Sequence, residues 1–197
     1  MTKRSGHEGE WYGREVVGLL AFCAIGGISL SFLRGIWLDE GWTIWFTYPG
    51  LPFETARDRW LHDAAHPHLY LFVEWLLSPL TGTSVAARRL THLPLLLLVV
   101  VPTILIVRKG TSRAFLGLLA VAFFSNPYFL IYFAEHRAYC LGMICTGCVT
   151  MLVRFIHLEA CSGRSAGWPT LAWLFVLTAV ATNIHYTIGL TVVALFG

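Results

Sequence analysis

Five long stretches of this 197-residue chain contain no Asp, Glu, Lys or Arg: residues 16–33, 90–107, 114–134, 138–153 and 165–197. A helix of about 20 apolar residues crosses the roughly 30 Å of hydrocarbon in a bilayer. These runs are continuous and do not alternate in polarity, which predicts an all-α, polytopic transmembrane protein of five to six spans. Only 13% of the residues are charged, where soluble domains carry about 25%. The 56% hydrophobic content also excludes disorder, which needs a shortage of apolar surface. The 14 Lys and Arg are scattered among loops and form no basic stripe, so nucleic acid is not an expected partner.

The spans are expected at 16–37, 89–107, 114–134, 138–156 and 168–182, with a sixth starting at 187 and cut off at 197. The leader contains Glu8, Glu10 and Glu15 and lacks a small-residue cleavage site, which reads as a signal anchor and not as a cleaved peptide. Lys3, Arg4, Arg14, Arg108, Lys109, Arg113, Arg154 and Arg164 face the cytoplasm by the excess of cations in cytoplasmic loops. The loop 38–88, the turn 135–139 and the segment 183–186 then share the outer side. Within that loop FETARDRWLH, starting at Phe53, reads as an amphipathic interfacial helix. A second juxtamembrane helix follows His66-Pro67 over residues 69–80, too short to span. The five cysteines are an odd number lying mostly in apolar runs, which argues against a disulfide framework. Cys145 and Cys148 form a C-x-x-C within such a run and read as packing residues.

Ionisable groups at a membrane boundary are costly unless paired or facing water, so they mark candidate sites. Asp39 and Glu40 lie between tryptophans directly after the first span; a helix start would also explain them. His62, Asp63, His66 and His68 fall within seven residues. Zinc is conceivable there, although Pro67 disfavours helical geometry at His66. Glu135, His136, Arg137 and Tyr139 occupy the turn between two spans. Arg137 has the planar fork that suits phosphate, and a local Glu135 to Arg137 pair is the simpler alternative. Asn183, His185 and Tyr186 form a fourth polar cluster. A carboxylate and a guanidinium on one face suit transfer chemistry on a lipid phosphate, the first as general base and the second as stabiliser of the departing phosphate.

In order along the chain, LDEGWT, HPHLYLFVEW, GTSVAARRL, SNPYFLIYFAEHRAY and TNIHY resemble the motifs of the membrane-embedded GT-C glycosyltransferases that use polyprenyl- or dolichyl-phosphate sugars. That group includes the protein O-mannosyltransferases and the aminoarabinose transferases. The resemblance covers Asp39 to Tyr186, the N-terminal part of that family. It implies inverting transfer of a sugar from a polyprenyl-phosphate donor to a protein, lipid or glycan acceptor, on the extracytoplasmic face of a bacterial inner (plasma) membrane. It implies Asp39 as base or metal ligand with Glu40 in support, and Arg137 on the lipid phosphate. His66, Glu135, Tyr139 and His185 would line the same cavity. A divalent cation held by Asp39 and Glu40 is left open, and a partner chain could supply the remaining helices. Two departures stand out: His68 replaces the family's second proline, and the family has about twice as many spans. The alternatives are a truncated, non-catalytic membrane protein of the same ancestry and, from another class, a transporter or metal-handling protein using His62 to His68.

Overall fold

In the computed structural model the described residues are 21, 25–62, 68–108 and 112–184, and among them there are helices and connections but no strand. Helix α1 covers residues 25–33. It is followed by α2 (Leu38–Phe46), α3 (Phe53–Leu61), α4 (His68–Thr81), α5 (Val85–Leu90), α6 (His92–Val107), α7 (Arg113–Phe124), α8 (Pro127–Phe133), α9 (Ala138–Cys161) and α10 (Trp168–Ile184). The boundaries follow local chemistry. Gly82 takes a positive φ of 61° just past α4, a conformation that only glycine adopts cheaply. The Ser84 hydroxyl accepts the Ala87 N–H at 3.3 Å to open α5.

The chain is all-α across its described residues. Val85–Val107 and Ala138–Cys161 are each long and apolar enough to cross a membrane, and α10, with 17 residues, is apolar but shorter. Three expected boundaries differ. The first span was expected to run to residue 37, but helix stops at 33 and the chain is extended before α2. The stretch 114–134, expected as one span, is two helices, because Asn126 caps α8 through its Oδ1 on the Tyr128 N–H at 2.9 Å and Pro127 occupies the first turn. Both residues start helices and neither continues one well. The fourth helix continues past 156 to Cys161. The beginning of the sixth expected span lies outside the described residues.

α9 is the central element, packed by α6, α8 and α10. The core between them is built from Val99, Leu141, Cys145, Cys148, Val149, Leu152, Leu177 and Ala181. Cys145 and Cys148 are free and buried there. The starts of α6 and α9 lie together, with the His92 and His136 rings 6.2 Å apart. Farther along α6, Trp173 of α10 donates its indole N–H to the Thr103 hydroxyl at 2.9 Å, a polar link of the kind that joins helices in apolar surroundings. A second small core, Phe46, Ala56, Trp60 and Leu71, ties α2, α3 and α4 together. The Trp60 indole N–H donates to the Phe46 carbonyl at 3.0 Å within it.

α1 approaches α8 closely at one glycine. A Cβ on Gly27 would sit 2.5 Å from the Phe133 ring, and that ring is itself buried. Gly27→Ala is therefore expected to destabilise by about 1–3 kcal/mol through overpacking. Thermal unfolding in detergent measures this, and adding Phe133→Leu should return part of the loss by removing the ring edge that the methyl meets.

Candidate functional site

The site is assembled where α1 ends and where α2, α6 and α9 begin. The last carbonyls of a helix have no partner within it, and at the end of α1 one side chain binds the carbonyl of Ser31 and two just past the helix. Arg89, at the end of α5, donates Nη1–H to the carbonyls of Ser31 at 2.8 Å and Arg34 at 2.9 Å, and Nη2–H to that of Gly35 at 2.9 Å. Its remaining N–H groups form a two-point pair with Glu40, Nε to Oε1 at 2.8 Å and Nη2 to Oε2 at 2.7 Å. All five donors of the guanidinium are thus used. Glu40, fully buried, also accepts the backbone N–H of Trp37 at 3.0 Å and of His136 at 2.7 Å. Burial alone would push the Glu40 carboxyl up, but Arg89 and the two backbone donors hold it below the usual carboxylate range.

Arg88 performs a parallel task one residue earlier. Its Nη2–H reaches the Thr47 carbonyl at 2.9 Å and its Nε–H the Gly82 carbonyl at 2.9 Å, joining the ends of α2 and α4. These two arginines therefore carry three helix ends between them. In the sequence they stand out only within the motif GTSVAARRL. An adjacent Arg pair before an apolar run is their signal, because such charges must be satisfied internally if they are buried.

Adjacent residues on a helix point about 100° apart, so Asp39 leaves the core that Glu40 enters. Its side chain is 45% exposed and ion-pairs through Oδ2 with Nη2 of Arg137, which is 17% exposed. Glu135 stands on the other side of Arg137. Its Oε1 pairs with Arg34 Nη2 at 2.8 Å, while its Oε2 is 3.7 Å from Arg137 Nε. The four groups form a row of alternating sign: Arg34, Glu135, Arg137, Asp39. Burial pushes the Glu135 carboxyl up; Arg34 and Arg89 pull against this and the charge of Glu40 adds to it. Arg137 Cζ lies 5.5 Å over the Tyr139 ring, a cation–π contact, and Tyr139 in turn packs on Tyr132 with centroids 4.9 Å apart. Arg137 is the N-cap residue of α9, and its own side chain makes no capping bond.

Behind this row lies a buried polar network. Glu74 of α4 meets His136 Nε2 through Oε2 at 2.6 Å and accepts the Thr91 hydroxyl through Oε1 at 3.1 Å. Tyr70 and His92 share a hydrogen bond of 3.2 Å beside it. Burial pushes the Glu74 carboxyl up, but the charge and hydrogen bond of His136 outweigh it, and the group is held below its ordinary range. A lone carboxylate in the apolar run 69–80 was the available signal. Its partner, 62 residues away, was not legible.

Of the residues expected at the site, Asp39, Glu135 and Arg137 are brought into contact and Tyr139 flanks them. His66 and His185 lie outside the described residues. Glu40 is beside Asp39 in sequence, but both of its oxygens are filled by N–H donors. It ties Arg89, Trp37 and His136 together at the site. In this arrangement the Glu40 oxygens are taken by N–H donors, and Asp39 is the carboxylate of the two that faces outward. His62 ends α3 and bonds the Asp58 carbonyl at 2.7 Å. No protein-family model, curated protein or solved structure matches this chain.

Proposed function

We propose that the chain is the N-terminal module of a polytopic membrane glycosyltransferase. It moves a sugar from a polyprenyl-phosphate donor to an acceptor hydroxyl on the extracytoplasmic face. The observation that carries this reading is the meeting of Asp39 with Arg137, a half-exposed carboxylate and a guanidinium supplied from positions 98 residues apart. In the reaction Asp39 accepts the proton of the acceptor hydroxyl as its oxygen attacks the anomeric carbon. The bond from that carbon to the phosphate oxygen breaks with inversion, and the electron pair leaves on the phosphate. Arg137 stabilises the charge that develops there, with Arg34 as the nearby second cation.

The surface beside Asp39 suits a lipid-linked donor. Ile36, Trp37, Leu38, Gly41, Trp42 and Trp45 line an open apolar groove of about 460 Å³. Tryptophan is the residue type favoured at the membrane interface. A non-catalytic, partner-dependent membrane protein is the second reading, favoured by the complete internal satisfaction of Glu40 and Arg89.

The deciding experiment is transfer of radiolabelled sugar from a panel of short-chain polyprenyl-phosphate sugars, in membranes containing this chain. Transfer from at least one donor that disappears in Asp39→Asn is the expected result. Silence with every donor, when wild type and variant are equally well inserted, would reject transferase activity for this chain and support the second reading.

A further inference from the structure

The row Arg34, Glu135, Arg137, Asp39 is not evenly tied. Glu135 is committed to Arg34 at 2.8 Å, while its other oxygen stands 3.7 Å from Arg137 Nε, beyond hydrogen-bond range. Both of those facing atoms, Glu135 Oε2 and Arg137 Nε, are buried without a hydrogen-bond partner. Arg137 is thus a largely covered cation whose close ionic partner is the half-exposed Asp39.

The two halves of the pair are also unequally held. The turn carrying Arg137 is fixed from behind, since the His136 N–H is bound to Glu40 and the His136 ring to Glu74. The guanidinium itself lies over Tyr139. Asp39 stands on the rim with nearly half of its side chain in contact with the surroundings. A rim carboxylate can leave an ion pair at little cost. A phosphate offers a guanidinium two parallel charge-assisted bonds in its place.

We infer that the Asp39 to Arg137 pair is a latch opened by phosphate: a phosphate-bearing ligand takes the place of Asp39 on Arg137, and the carboxylate is released only when that ligand is seated. This rests on the transferase reading for the class of ligand and adds a regulation to it. The base is masked while the donor site is empty and becomes available when the donor arrives. Arg137 stays where the turn holds it, and the movement belongs to Asp39.

The test is a binding cycle on the full chain in nanodiscs, with farnesyl phosphate as probe and farnesol as its uncharged control. Wild type is expected to prefer the phosphate. Asp39→Asn should tighten the phosphate by about two- to fivefold, the range that follows from removing a partly exposed competitor for the guanidinium. In the Arg137→Gln background the same Asp39→Asn change should have no effect, because the competition is for that guanidinium. Equal tightening in both backgrounds would mean general repulsion between carboxylate and phosphate and would overturn the latch. No tightening in either would overturn the latch and leave the transferase reading standing. Farnesyl phosphate binding no better than farnesol to wild type and to Asp39→Asn alike would remove the phosphate site, and the latch with it.

Discussion

Glu40→Ala is expected to lower stability by about 3–5 kcal/mol, the cost of leaving a buried charge without its partner. The carboxylate is fully buried and answers four donors, two on Arg89 and the backbone N–H groups of Trp37 and His136. Removing it strands all of them. A companion Arg89→Met would neutralise the orphaned cation, yet the double variant should recover only part of the loss. The carbonyls of Ser31, Arg34 and Gly35 would then lose their donor in turn.

The same carboxylate sets an acid dependence. Its folded value lies below its ordinary one, so its contribution is fully present above the unfolded carboxylate pKa of about 4.3 and is lost as pH falls through the lower folded value. Glu40→Gln keeps an acceptor but cannot titrate. Its melting temperature should lie below that of wild type near neutrality and approach it in acid. Thermal unfolding in detergent between about pH 3 and about pH 8 measures both effects. A Glu40→Ala melting curve that overlays wild type would overturn the account of the clamp.

Hydropathy made the helical class legible, and ionisable residues at the ends of apolar runs made the site legible. The amphipathic FETARDRWLH, expected as a helix from Phe53, is α3 (Phe53–Leu61). The run 69–80 is α4 (His68–Thr81). Asp39, Glu135 and Arg137 stood out because ionisable groups beside hydrocarbon need partners, and they do find them. What the linear order could not specify was the pairing. Neighbourhood in sequence favoured Glu135 with Arg137, but the closer contacts are Glu135 with Arg34 and Arg137 with Asp39.

The pairing depends on α1 and α8 packing through Gly27 and Phe133, a contact between distant elements that no local pattern encodes. The break at Asn126-Pro127 was written in the sequence as a cap and a first-turn proline. The hydropathy of the surrounding residues outweighed it in a reading based on span length. Arg88 and Arg89 were missed for a related reason. Counting cations for orientation treats them as solvated, whereas these two are buried and hold helix ends.

Asp39→Asn is the variant in which binding and chemistry should move in opposite directions. In the proposed reaction Asp39 is the general base for attack by the acceptor hydroxyl, an effect worth about 10²–10⁴ in rate. The asparagine amide has similar size and cannot take the proton, so kcat should fall by about a hundredfold or more. The same change frees Arg137 from its resting partner, so KM for the lipid-phosphate donor should fall if it tracks donor affinity. A variant that merely misfolds would lose active protein, lowering apparent kcat with KM unchanged. A variant that lost a binding contact would raise KM. Arg137→Gln should show that second pattern together with a loss in kcat, since in the proposed reaction its charge serves both the bound phosphate and the departing one. Steady-state transfer measured against donor concentration separates these cases, and an Asp39→Asn enzyme that kept wild-type kcat would remove Asp39 from the chemistry.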